Sequence, residues 1–174
     1  MTKLAQLLRE NQEAILRRWL EAALSSYAAV ASAAFAKQAD PFANPIGHSL
    51  RLGTREIFQQ LLAEADPGAL GRHLDPILSI RAVQEMSASE AVGFVFGLKA
   101  AVRAELGPAA GQADLADDLA KLDAAVDRVA LTAFDLYVEY RERISQVRVQ
   151  AANRRVSWIV QKLNESGSDS TPSI

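Results

Sequence analysis

Apolar residues recur at steps of three and four through most of this chain, and short polar breaks divide the pattern into helical segments. Leu4, Leu7, Leu8, Ile15, Leu16, Trp19 and Leu20 lie on one face of a first segment, Leu4–Leu24, with arginines and glutamates on the other and Thr2 placed to cap it. Ser25–Ala39 is alanine- and serine-rich and reads as a ragged helix end and connector running to Asp40-Pro41. Asn44-Pro45 is a helix start, a capping side chain followed by proline at the first helical position. The helix it opens carries Ile46, Leu50, Ile57, Phe58, Leu61 and Leu62 on one face, and Asp66-Pro67-Gly68 reads as its stop. Asp75-Pro76 repeats the start signal for a short third helix holding Ile77, Leu78, Ile80 and Val83. Ser87-Ala88-Ser89-Glu90 has capping-box spacing, with Glu90 placed to reach the Ser87 amide, and Gly107-Pro108 ends the fourth helix.

That fourth helix contains Ala91–Leu98, apolar on every side, which predicts burial all round. Gly93 and Gly97 lie one turn apart beside Phe94, a spacing that admits either a closely packed helix or a ligand against the backbone. From Ala113 to Asn164 no proline or glycine occurs in 52 residues, enough for a helix of roughly 78 Å. Its early positions, Leu115, Leu119, Leu122, Val126, Val129 and Ala133, suit the core. Its late positions, Val149, Ala152, Val156, Ile159 and Leu163, step 3-4-3-4 as a coiled-coil seam does, with Ile144 on the rotating stripe between them. An apolar seam beyond the core calls for a partner, and a second copy of the same helix is the cheapest one. The expected organisation is a helical body over residues 1–112, a long helix over 113–164 and a disordered tail over 165–174. With no alternating stretch long enough for a strand, the fold class is all-α: a bundle of about five helices with a long protruding C-terminal helix.

Composition narrows the function more than the fold. The chain has 174 residues, 49% of them hydrophobic, no cysteine and a formal net charge of −2. A disulfide scaffold, a thiolate metal site and a cysteine nucleophile are thereby excluded, and no global charge asks for nucleic acid. The N-terminal segment is interrupted by Arg9, Glu10, Glu13, Arg17 and Arg18, so it is no export signal, and a cytoplasmic location is expected. His48 and His73 are the only histidines, set in no metal-binding spacing, and no phosphate loop or nucleophile elbow occurs. No catalytic residue, metal or cofactor is expected.

His48 stands beside Arg51 and near Arg55, where a histidine could bind a haem or an anion, but an exposed side chain is the favoured reading; His73 reads as part of a loop or short turn. Arg81, among apolar neighbours, reads as a salt-bridge partner of Glu85 or a nearby acid at the edge of the core. Residues 113–140 hold seven acids against Lys121 and Arg128, whereas 141–162 hold six bases against Glu142. The acids suit the positive end of the helix dipole. The basic half, with Trp158, is a solvated dimer helix that also has the makings of a membrane-surface or acidic-partner helix, the less favoured reading.

Two stretches carry a family resemblance: Asp40-Pro-Phe-Ala-Asn-Pro-Ile-Gly47, and Ile77 to Lys99 with its R-A-V-Q-x-x-x-x-S-x-A-V-x-F-x-x-x-L-K pattern. With Leu7-Leu8-x-x-Asn11 and Ile15-Leu16-x-x-Trp19, they resemble the RsbRD N-terminal domain family over about residues 4–106. Those are sensor-like domains of RsbR-type co-antagonists in bacterial stress-signalling assemblies, and also small stand-alone proteins. The resemblance implies a globin-like helical domain without haem, dimeric, whose last helix leads toward an output module and an unidentified protein partner. The matching signature positions are Asn44, Pro45, Gly47, Arg81, Gln84, Ser89, Phe94 and Lys99. RsbR-type proteins continue into a STAS domain; this sequence stops at Ile174, so a stand-alone member is expected.

Overall fold

The computed structural model describes residues 2–27, 44–63 and 67–168. The Ala28–Ala39 part of the expected connector, Asp40-Pro41 and residues 169–174 of the expected tail lie outside the described residues. Within them no strand occurs and helices account for nearly everything: α1 (Lys3–Glu10), α2 (Gln12–Leu24), α3 (Pro45–Leu62), α4 (Pro67–Val83), α5 (Ala88–Gly93), α6 (Gly97–Leu106) and α7 (Ala113–Ser168).

Local chemistry sets most boundaries. Thr2 accepts a hydrogen bond from the Ala5 amide at the start of α1, and Asn44 accepts one from the Gly47 amide at 2.8 Å at the start of α3. Ser87 and Glu90 form the expected capping box. Gly107, at φ +52°, supplies the left-handed turn that ends α6. The first segment is two helices rather than one. Asn11 interrupts it, donating its side-chain amide to the Leu7 carbonyl at 2.9 Å in competition with the helical ladder.

The two proline signals in the middle of the chain work differently from their sequence reading. Pro67 opens α4 instead of stopping α3, and α4 runs straight through Asp75-Pro76 to Val83, so Asp75 caps nothing and His73 is helical. An interior proline costs about 3 kcal/mol. Here Leu70 and Leu74 before it and Ile77, Leu78 and Ala82 after it all bury on one face, and that packing holds the helix together across the break. Burial on every side of Ala91–Leu98 also fails. The helix tightens to a 3₁₀ turn over Phe94–Phe96, which rotates Phe96 out to 47% exposure and leaves Gly93 facing solvent.

One core unites these elements, with Ile15 and Trp19 of α2, Ile57 and Phe58 of α3, Leu74 and Leu78 of α4, and Leu98 of α6 all buried. Leu115, Leu119, Val126, Val129, Ala133 and Tyr137 of α7 close it. Two crossings depend on glycine. A Cβ at Gly53 would stand 2.6 Å from Ile77 Cδ1 and 2.9 Å from the His73 carbonyl, so α3 and α4 touch through their backbones there. A Cβ at Gly97 would stand 3.3 Å from Trp19 Cδ1, the close helix approach expected of that glycine.

Helix α7 is one rod of 56 residues, roughly 84 Å long. It packs on the body as far as Tyr140 and Ile144, which are half-buried; beyond Ile144 nearly every described side chain is exposed. Beyond Arg148, which still reaches Glu85 of the body, roughly 30 Å of helix stands clear.

Candidate functional site

Arg81 lies at the centre of the polar architecture. Its side chain is completely buried, and its partner is not a carboxylate. Nη1 donates to the Glu90 carbonyl at 2.8 Å and the Ala91 carbonyl at 3.1 Å. Nη2 donates to the Ala23 carbonyl at 3.1 Å and to Ser26 Oγ at 3.4 Å. The guanidinium carbon lies 4.8 Å from the centroid of the Phe94 ring and 5.4 Å from that of Tyr27. The negative end of α2, carbonyls beside the 3₁₀ turn and two ring faces together stand in for a counter-ion. Burial lowers the guanidinium pKa from its ordinary value, with Tyr27 working against that. Nε finds no hydrogen-bond partner among the described residues. The salt bridge expected with Glu85 is absent because Glu85 belongs to a turn that points outward, where it pairs with Arg148.

Trp19 completes the junction. Its indole N–H donates to the Phe94 carbonyl at 2.6 Å, and its ring stacks on Phe94 at 6.4 Å between centroids. The space beside Gly97 and Phe94, the alternative ligand position of the sequence, is thus filled by the indole, and Gly93 has nothing within 4 Å of a Cβ position.

The same turn is bound to the rod. Glu85 adopts φ 58°, a left-handed conformation that is rare for a residue other than glycine, and it directs residues 82–86 at α7. Tyr137 donates its hydroxyl to the Met86 carbonyl, Arg141 donates to the Ala82 carbonyl at 3.1 Å, and Arg148 pairs with Glu85. That pairing holds the Glu85 carboxyl below its usual range. Tyr140 donates to Asp75, and its phenol is pushed up by the carboxylate beside it. The early acids of α7 are tied down as well: Asp114 to Lys3, Asp123 to Arg103 and Asp127 to Lys99. Arg81 thus ties α4 to the start of α5 across a short turn that the rod holds from Tyr137, Arg141 and Arg148.

The signature positions divide accordingly. Asn44 and Gly47 are buried at a helix start whose first residue, Pro45, is exposed. Arg81 and Phe94 meet in the core, and Lys99 joins α6 to α7 at 2.6 Å. Gln84 and Ser89 are exposed on either side of the turn. The seam residues stand apart from this cluster. Val149 is 55% exposed, Val156 60% and Ile159 50%, Ala152 is exposed too, and Ile144 rests half-buried against the body. The position of Leu163 in the seam lies on α7, but its side chain is outside the described residues.

Two features escaped the sequence reading. Leu131, Phe134 and Val138 lie on the outer face of α7, exposed at 66%, 46% and 36%. Eighteen residues make about five helical turns, so these three stand in line with Val149, Ala152 and Val156 on one stripe. That offset was the available signal, hidden because the first half of the helix was assigned wholly to the core. The second feature is a cleft of about 390 Å³ between α2 and α3, lined by Leu16, Arg17, Leu20, Arg51, Leu52 and Arg55, with Glu13, His48 and Thr54 at its edges. His48 is half-buried there rather than exposed.

Among the described residues no three histidine, aspartate or glutamate side chains gather as a metal site, and no helix is long and apolar enough to cross a membrane. The architecture is an all-helical body whose polar joints grip one projecting helix. The chain belongs to the RsbT co-antagonist protein rsbRD N-terminal domain family, whose model matches residues 13–152. The match reaches past the region of about 4–106 that carried the resemblance, so the core-packed part of α7 belongs to the family domain. No curated protein and no solved structure matches the chain.

Proposed function

We propose that this chain is a non-catalytic, sensor-like regulatory domain of the cytoplasm, globin-like in its body, that pairs with a second copy and passes a signal along α7 to a protein partner. The observation that carries the reading is the outer stripe of α7, apolar and exposed at Leu131, Phe134, Val138, Val149, Val156 and Ile159 over about 42 Å. Water-facing apolar surface of that length is stabilised by a partner with the same stripe.

The charges beside the stripe favour one orientation. With Val149 and Val156 at a and Ala152 and Ile159 at d, the g positions are Arg141, Arg148, Arg155 and Lys162, and the e positions are Glu139, Gln146, Asn153 and Val160. Antiparallel helices would set g against g, base against base. Parallel helices set Arg141 toward Gln146 and Arg148 toward Asn153, so no bases oppose on the flanks, while at the a positions Asp135 and Glu142 meet their own copies. The two copies then run side by side and present both C-terminal ends together.

Sedimentation at micromolar concentration is expected to give a dimer, and Val156→Asp with Ile159→Asp a folded monomer, since four carboxylates would have to be buried in the seam. A wild-type chain that sediments as a monomer would overturn the reading.

A second reading rests on the opposite face of the rod. Trp158 is 61% exposed and Val147 58%, with Arg143 and Arg154 nearby, and a seam dimer leaves them uncovered. Such a basic, aromatic face suits an anionic membrane surface. Flotation with phosphatidylglycerol vesicles tests it, and equal flotation by wild type and Arg154→Gln/Trp158→Ala would remove this face from contention.

A further inference from the structure

We infer that the cleft between α2 and α3 is a binding site for a small organic acid: a carboxylate carried on an apolar body. The site is independent of the α7 seam, which lies on another part of the molecule. Its volume of about 390 Å³ falls in the range of small-ligand pockets, roughly 300–1,000 Å³, toward the smaller end.

Two chemistries meet in it. Leu16, Leu20 and Leu52 form an apolar wall. Leu52 is 52% exposed whereas Leu50, Ile57 and Phe58 of the same helix are buried, so the wall includes surface the fold itself does not use. Arg17, Arg51 and Arg55 stand around that wall, and Glu13 is the acid among the lining residues. The balance is a local excess of positive charge in a chain whose overall charge is −2. Arg17 makes no ion pair among the described residues. Arg55 meets Glu13 at 3.6 Å, with both side chains more than half exposed, a pair too loose and too solvated to resist replacement by another carboxylate. Guanidinium groups recognise carboxylates by paired, charge-assisted hydrogen bonds, and a leucine wall rewards an alkyl or aryl body on the same ligand. A bare inorganic anion would leave the wall wet; a neutral apolar molecule would leave Arg17 and Arg55 unused.

The cleft also has a route to the rest of the molecule. It is built on α2, whose last turn accepts the Arg81 hydrogen bond at Ala23, and Arg81 abuts the turn that grips α7. A ligand there would brace the helix on which the Arg81 junction rests.

Titration calorimetry of the full chain at physiological salt tests the site with three probes: octanoate, 1-octanol and inorganic phosphate. Octanoate is expected to bind saturably with one molecule per chain, and octanol and phosphate each at least about tenfold more weakly. Arg17→Gln with Arg55→Gln, both exposed, should weaken octanoate by at least about tenfold while leaving the circular dichroism and sedimentation unchanged. The monomeric seam variant should bind octanoate as the wild type does. No saturable octanoate binding by the wild-type chain would overturn the inference, as would equal affinity in the arginine variant. Phosphate binding as tightly as octanoate would overturn the apolar half of it.

Discussion

Replacing Trp19 by alanine is expected to cost about 3–5 kcal/mol of stability, the range for emptying an aromatic site in a packed core. The residue is fully buried and does three things at once. It fills the groove beside Gly97, stacks on Phe94, and donates to the Phe94 carbonyl at 2.6 Å within the 3₁₀ turn. Alanine leaves a void that the α2–α6 crossing cannot close, and it removes the donor from a buried carbonyl. For a chain of this length each kcal/mol lowers the melting temperature by roughly 2–4 °C, so a drop of roughly 6–20 °C is expected in calorimetry. Phenylalanine retains the stacking and loses the hydrogen bond and some volume, and should cost about 1–2 kcal/mol. Measurements must be made at one protein concentration, because any association would move the midpoint by mass action. A melting temperature unchanged in Trp19→Ala would show that this crossing contributes little to the fold.

Trp19 also shows what the sequence can and cannot disclose. Its burial follows from helical periodicity, as does that of Leu50, Ile57 and Leu98, because one face of each helix is apolar whatever it packs against. Helix starts are equally legible: Thr2, Asn44 and the Ser87–Glu90 pair act over three residues. Pro76 was misleading because a local rule, that proline opens helices, competes with long-range packing that no local pattern reveals. The outer stripe of α7 was legible only beyond Ile144. Upstream, Leu131 and Phe134 share their turns with core residues, and a helix with apolar residues on two faces looks simply hydrophobic. Of the cleft only the His48, Arg51 and Arg55 side was legible, as a candidate anion site, since Arg17 and the leucines of α2 come from a helix whose pairing with α3 the pattern does not specify.

Arg81 is the deeper case. A lone arginine among apolar neighbours implies an acid somewhere, and Glu85 stands at a suitable spacing. The fold instead turns backbone carbonyls toward the guanidinium, two next to the 3₁₀ turn and one from the end of α2, and sends Glu85 outward to Arg148. This makes the cation a connector between elements distant in sequence. On one side it holds α2 to α5; on the other, the neighbouring Ala82 carbonyl receives Arg141 of the rod. Loss of order at this turn would therefore release α7 from the body at its Arg141, Tyr137 and Arg148 contacts together.

Three substitutions separate the ways Arg81 could matter. Arg81→Ala should be the most severe, at about 3–5 kcal/mol, since it empties the space between the Phe94 and Tyr27 rings and removes the donor from three carbonyls. Arg81→Lys keeps the charge but cannot span acceptors on two helices with a single ammonium group, and should cost about 2–3 kcal/mol. Arg81→Met fills the volume and abolishes the cost of burying a cation, which Nε bears without a partner among the described residues. Methionine, like alanine, leaves the Glu90, Ala91 and Ala23 carbonyls without this donor, but it fills the space, so it should cost about 1–2 kcal/mol in urea unfolding. Methionine as damaging as alanine would mean that the charge itself, rather than the volume, holds the junction. The stable methionine variant also isolates the signalling question. If the guanidinium fixes where α7 leaves the body, amides of residues 82–86 and 137–148 should exchange faster in Arg81→Met by more than the loss of global stability accounts for. Unaltered exchange there would confine Arg81 to packing and detach it from the rod.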